Sequence, residues 1–178
     1  METQIIPEMT KHFETRTNDH ITRTIKYGKK IGRDLQGHDA SKFQKPEYTP
    51  YVWLTWDYKM KDDGVDFELP PKIAEQGHEA TLHHIRTNEH HPEYWDKNFE
   101  DGMLNKKDRD GIPEKPVDAT EMPVSAIEEM CCDWCAMSEE RGNNPYDWAD
   151  KVIGTRYHFT PRQIYVIYDT IEKLWGKE

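Results

Sequence analysis

NDHITRTIKYGKKIGRDLQGHDASK, residues 18–42, is the stretch on which the fold is read. Asn18 has the side chain of a helix N-cap, and Gly37 is the kind of residue that stops a helix after its last periodic position. Between them His20, Thr24, Tyr27, Ile31 and Leu35 recur at spacings of four, three, four and four. That is the period of one helix face, so it predicts a helix with His20 on the inward stripe. The dipeptide His38-Asp39 follows at the end of this element, where adjacent side chains point in different directions.

Further along, the stretch KPEYTPYVWLTWDYKMKDDG is ambiguous between an alternating strand and a Pro-initiated aromatic helix, and the helix is preferred. From Pro71 to about His90 the sequence reads as a long helix, ended by the restriction that Pro92 places on His91. Gly77, Thr81, His84, Asn88 and His91 share one face of it, and Gln76, Ala80, His83, Thr87 and His90 the adjacent one. Spacing does not choose between these faces. Residues 96–120 are polar and broken by Gly and Pro, which predicts a loop or lid. Ser125 and Glu128 have capping-box spacing and open a helix whose stripe Ala126, Met130, Asp133 and Met137 contains a carboxylate. Thr160-Pro161 opens a last amphipathic helix, residues 160–175, with Ile164, Ile167, Ile171 and Leu174 inward as a buttress. The expectation is an all-α, single-domain helical bundle over residues 1–178, with a metal site at its centre.

Composition bounds the function. With 178 residues the chain is long enough for one core without disulfides. A net charge of -10 argues against a duplex nucleic-acid groove, which needs clustered Lys and Arg. No apolar run approaches the roughly 18 residues of a membrane span, and METQIIPEMTKHFETR lacks the apolar region of a secretory signal. A cytoplasmic protein without membrane partners is expected, with a homo-oligomer left open. Cys131, Cys132 and Cys135 are odd in number and crowded together, which predicts reduced core thiols and not a disulfide framework.

The chemistry lies in the histidines and aspartates. His20, His38, Asp39 and Asp133 supply three or four ligands for one ion, and His84 with His90 or His91 completes a second. Imidazole together with carboxylate favours Fe, Mn, Co, Ni or Zn over Mg or Ca, as one ion or two. A lone inward histidine is more often a hydrogen-bonded core residue, and His12, His78 and His158 are read as structural or surface residues. Trp95, Trp134 and Trp148 are read first as core.

This ordered set resembles the HD-domain superfamily of metal-dependent phosphohydrolases. HDASKF followed by HHIRTNEHHPEYW and EMCCDWCAM is similar to a small family of uncharacterised HD-like proteins of phages and bacteria. The resemblance covers roughly residues 18 to 138 and implies an HD-domain-like fold. It implies that His20, His38, Asp39 and Asp133 hold the first metal, with Asp39 bridging to any second ion. It further implies that His84 and one or both of His90 and His91 serve the dinuclear form, and that Lys42 contacts a phosphate oxygen. Ser41 departs from the common H-D-x-G-K form, in which a glycine stands at that position. The implied activity is metal-assisted hydrolysis of a phosphoester or phosphoanhydride in a small nucleotide. Asp39, Lys42 and Asn88 are the catalytic candidates. Arg86 and Lys106 or Lys107 are further candidates to orient substrate, and Tyr94 or Trp95 to stack on a base. Two other functions remain open: a di-iron oxygenase on the HD fold, and a non-catalytic phage interaction protein in which metal only pins helices.

Overall fold

The computed structural model describes residues 4–104 and 111–177. Its described residues form six α-helices and two short strands: α1 (Pro7–Lys30), α2 (Tyr48–Asp62), α3 (Pro71–Thr87), β1 (Val117–Asp118), α4 (Val124–Arg141), α5 (Pro145–Val152), β2 (Tyr157–His158) and α6 (Pro161–Trp175). The class is all-α, as the periodicity predicts. Contacts divide the chain into two compact units, Met1–Asp19 with Asp39–His84, and His20–His38 with Ile85–Glu178. Helices α1 and α3 each contribute residues to both.

Unit 1 packs on aromatic residues. Met9 and Phe13 from α1, Tyr51, Val52 and Trp53 from α2, and Ala80 from α3 are buried together, with Phe43, Tyr48, Leu54 and Trp56 against them. Phe13 meets Tyr48 edge to face at a centroid distance of 5.4 Å, the arrangement that aromatic quadrupoles favour. Gly77 of α3 lets Leu54 approach so closely that a Cβ there would stand 2.9 Å from its Cδ2. This contact explains a glycine inside a helix, where it otherwise costs about 1 kcal/mol relative to alanine.

Unit 2 is built around α4, which is buried nearly all round, as expected for a helix at the centre of a core. Ile127, Met130, Cys131, Cys132 and Cys135 of α4 pack with Ile167, Ile171 and Leu174 of α6, all at 1% exposure or less. The α6 N-terminus has Thr160 as cap in a capping box with Gln163, and Pro161 in the first turn. Buried Gln163 also donates through Nε2 to the carbonyls of Ala119, Thr120 and Met122 at 2.8–3.1 Å. It thereby ties α6 to the segment that leads into α4. Strands β1 and β2 pair in parallel, Val117 beside Tyr157.

Several expected boundaries are corrected. Helix α1 begins at Pro7, and Asn18 sits within it, donating from Nδ2 to the Glu14 carbonyl at 2.8 Å. The first turns escape a reading from Asn18 because their buried stripe of Met9, Phe13 and Thr17 is spaced by polar residues. The helix stops at Lys30, and Gly32 (φ 72), not Gly37, takes the left-handed turn after it. Helix α3 ends at Thr87, before His90. Helix α4 starts at Val124 with Pro123 in the cap position and no side-chain cap, so Ser125 makes no capping box there. Helix α5 and the strand pair were not expected, and a short 3-10 turn, Asp101–Met103, lies in the segment read as loop or lid. Lys106 and Lys107 fall outside the described residues.

Two outcomes follow from this packing. Replacing Gln163 by leucine removes the donor shared by three carbonyls, and the unfolding free energy in urea is expected to fall by about 1–3 kcal/mol. Burial also pushes the Cys132 and Cys135 thiols up to about 12, and raises that of Cys131 well above its ordinary value. Because the thiolate is the reactive species, a thiol reagent near neutral pH is expected to leave the folded protein unmodified and to titrate all three cysteines once it is unfolded.

Candidate metal centre

In unit 2 three of the expected ligands converge. His20 projects from α1, His38 from the turn after it, and Asp133 from α4. The Nε2 atoms of His20 and His38 lie 3.3 Å apart. Asp133 Oδ1 is 2.9 Å from the first and 3.7 Å from the second. Metal–ligand bonds of about 2.0–2.2 Å place neighbouring ligands roughly 2.8–3.6 Å apart in octahedral or tetrahedral shells. Two of the three separations fall in that range and the third lies 0.1 Å beyond it, so the three donors could hold a transition-metal ion. Both imidazoles are buried, at 6% and 3% exposure.

Glu129, one turn before Asp133 on the same helix, was missed by sequence reading. Its Oε1 is 2.9 Å from His38 Nδ1 and 3.4 Å from His90 Nδ1. Holding a hydrogen on His38 Nδ1 leaves Nε2 as the coordinating atom, the arrangement by which carboxylates orient metal-binding histidines. Spacing Glu129-x-x-x-Asp133 puts both acids on one helix face and is the signal that finds it. His38, His90 and Glu129 also form a group whose donor atoms are close enough to hold an ion themselves. Burial alone would raise the Glu129 carboxyl, but the contacts with His38 and His90 outweigh it and hold it at about 2. At Asp133 burial is likewise overcome, by His20 and His38, and the group lies well below the usual carboxylate range.

The chain after α3 is fastened so that His90 stays buried. Its ring lies 4.4 Å from that of His38 and 4.3 Å from that of His91. Just beyond, buried Glu93 takes the Arg156 guanidinium at 3.4 Å and the Tyr157 hydroxyl at 3.3 Å on Oε1. Burial dominates at Glu93 and raises its carboxyl despite these partners. Trp95 donates to the Glu89 carbonyl at 2.9 Å and packs against the core, whereas Tyr94 is exposed. Arg86 is engaged by Asp101 at 2.6 Å and by the Phe99 carbonyl. Asn88 lies just past the end of α3, half-buried, with Nδ2 on Thr87 Oγ1.

Unit 1 holds the remaining candidates. Asp39 is 1% exposed and adopts φ 57, a left-handed conformation that a non-glycine residue takes at a cost. Its Oδ1 is 3.1 Å from His84 Nε2, and its Oδ2 receives Lys42 Nζ at 2.5 Å. Lys42 also lies 5.5 Å above the Tyr51 ring. The face question left open on α3 is answered by burial: His84 is buried at 3%, whereas the His83 side chain is 40% exposed. A second acid unforeseen from sequence, Glu47, touches both histidines and Ser41. Buried clusters of His and Asp thus have the donor set for a metal ion. Because such ligands bind only when deprotonated, zinc added to the protein is expected to be released as pH falls below the imidazole range, with elemental analysis after desalting as the measure.

No helix among the described residues is long and apolar enough to cross a membrane. No curated protein and no solved structure matches the chain. A family model does match, over residues 9–173, and the chain belongs to the family of unknown function DUF5662.

Proposed function

We propose that this protein is a metal-dependent phosphohydrolase of the HD type, acting on a phosphoester or phosphoanhydride of a small nucleotide. The observation that carries the reading is the meeting of His20 Nε2, His38 Nε2 and Asp133 Oδ1 within 3.7 Å of one another, in the chain order His, His-Asp, Asp that the resemblance requires. One or two ions of Fe, Mn, Co, Ni or Zn suit this donor set. Asp39 is the further carboxylate that the HD resemblance assigns to metal binding, and His84, His90 and His91 are the histidines it assigns to a second ion. When bound, such an ion acidifies a water toward neutral pH and draws charge from the phosphoryl oxygens.

The chain's own residues supply binding and orientation. Lys42 carries its charge on a short 3-10 turn, Ala40–Phe43, and its contact with Asp39 keeps the ammonium beside the acidic group that it neutralises. In the proposed reaction that ammonium takes a phosphate oxygen. Asn88 is the neutral candidate for orienting substrate. Tyr94, 40% exposed, has a ring face available to a base, which Trp95 lacks because its indole is committed to the core. An acidic chain can take a phosphorylated substrate when a divalent cation inverts the local field.

The test is incubation of the purified protein, loaded in turn with Mn, Co, Ni, Fe or Zn, with a panel of nucleotides. Release of phosphate, pyrophosphate or triphosphate is expected. Replacing Asp39 by asparagine should lower kcat by at least about 100-fold, while His158→Ala, a change at an exposed position, should leave turnover intact. Metal bound without turnover across the panel overturns the hydrolase reading. Oxygen uptake by the iron form would then point to a di-iron oxygenase, and its absence to a non-catalytic interaction protein.

A further inference from the structure

A carboxylate with no exposed surface stands in unit 1 with both oxygens engaged by two histidines and a serine. Glu47 Oε2 lies 2.8 Å from His84 Nδ1 and accepts from the Ser41 hydroxyl at 3.0 Å, and Ser41 Oγ itself stands 3.2 Å from that nitrogen. Its Oε1 is 2.7 Å from Nδ1 of His83. Burying a carboxylate is costly unless donors replace its water, and here three side chains do so.

The consequence falls on His84. A neutral imidazole has one hydrogen, and a hydrogen given to Glu47 from Nδ1 leaves Nε2 as a lone pair. That Nε2 stands 3.1 Å from Asp39 Oδ1. A lone pair and a carboxylate oxygen at this distance form two corners of a cation shell, by the same spacing that His20, His38 and Asp133 show. The T-shaped contact of Tyr51 with the His84 ring, centroids 5.8 Å apart, restrains its tilt. Ser41 acquires a purpose here. A glycine at that position, the common HD form, would leave Glu47 with one donor fewer.

We propose that Glu47, anchored by Ser41 and His83, is a positioning residue that holds the hydrogen of His84 on Nδ1 and so presents Nε2 for metal coordination beside Asp39. The proposal rests on the metal-centre part of the reading above and not on the identity of the reaction. In this arrangement Glu47 acts through His84 and not on the ion itself.

The tautomer of His84 is read directly from long-range proton–nitrogen correlations of histidine-labelled, metal-free protein at about pH 8, above the ordinary imidazole range, with His84→Asn for assignment. The wild type is expected to show His84 with hydrogen on Nδ1. Glu47→Gln, which keeps size but offers one acceptor oxygen in place of two, should shift the ring toward the other tautomer and weaken zinc affinity by about 10–100-fold in calorimetry. Ser41→Gly should move both readouts in the same direction by a smaller amount. A wild-type His84 with hydrogen on Nε2 overturns the proposal, as do unchanged tautomer and zinc affinity in Glu47→Gln. If that variant fails to fold, the wild-type tautomer and Ser41→Gly decide. Zinc binding with the expected tautomer but no hydrolysis removes the phosphohydrolase and keeps Glu47. Hydrolysis with the opposite tautomer does the reverse.

Discussion

A buried imidazole that is to meet a cation has to show it a lone pair, and something must keep its single hydrogen on the other nitrogen. Two histidines of this protein have an acid against Nδ1 and an aspartate against Nε2. In unit 2 Glu129 takes Nδ1 of His38 at 2.9 Å, and in unit 1 Glu47 takes Nδ1 of His84 at 2.8 Å. In each case the ring's Nε2 faces a carboxylate oxygen of an aspartate, Asp133 or Asp39. Neither orienting acid is adjacent in sequence to the histidine that it holds. Each therefore depends on the precision with which the elements pack.

That precision comes from the cores. Helix α4 carries Glu129 and Asp133 on one face while Met130, Cys131 and Cys135 bury on others, so sliding α4 to move the acids would strip packed side chains from Ile167, Ile171 and Leu174. The α6 helix buttresses α4 through this apolar contact, and Gln163 fixes its start. In unit 1 Glu47 lies at the N-terminal boundary of α2, and the buried residues Tyr51, Val52 and Trp53 on that helix's first turns keep it from shifting. The acids that touch the histidines and the apolar anchors share the same short segments, one to four residues apart.

Much of the helical framework was legible because its periodicity is strong. The α6 stripe, its Thr160 cap and the helical reading of VWLTWDYKM agree with the fold, as does the inward placement of His20. The beginning of α1 was hidden because its buried face is spaced by charged residues over a largely polar turn. The eight-residue α5 was hidden because so short an element gives little periodicity, although Asn144-Pro145 carries the cap signal in plain view. Pairing of β1 with β2 is two residues long and joins segments some forty positions apart, which no local pattern encodes. For the metal centre, the histidines and aspartates stood out as residue types. Glu47 and Glu129 did not: a lone glutamate beside Pro46 and the second residue of the pair Glu128-Glu129 are acids of the kind that surfaces commonly carry.

The amino-acid sequence by itself determined the inventory: an acidic helical chain with His20, His38, Asp39, His84, His90 and Asp133 as its donor residues and with thiols placed to be buried. Ligand type and helix period are local properties, written in the order of residues. Only the tertiary structure decided which nitrogen of each ring lies against a glutamate and which against an aspartate, that His84 and not His83 is buried, and that Ser41, Glu47 and Glu129 come within hydrogen-bond distance of their partners. Those choices depend on hydrogen bonds across 6, 37 and 91 positions of chain, and such distances close only when the helices pack.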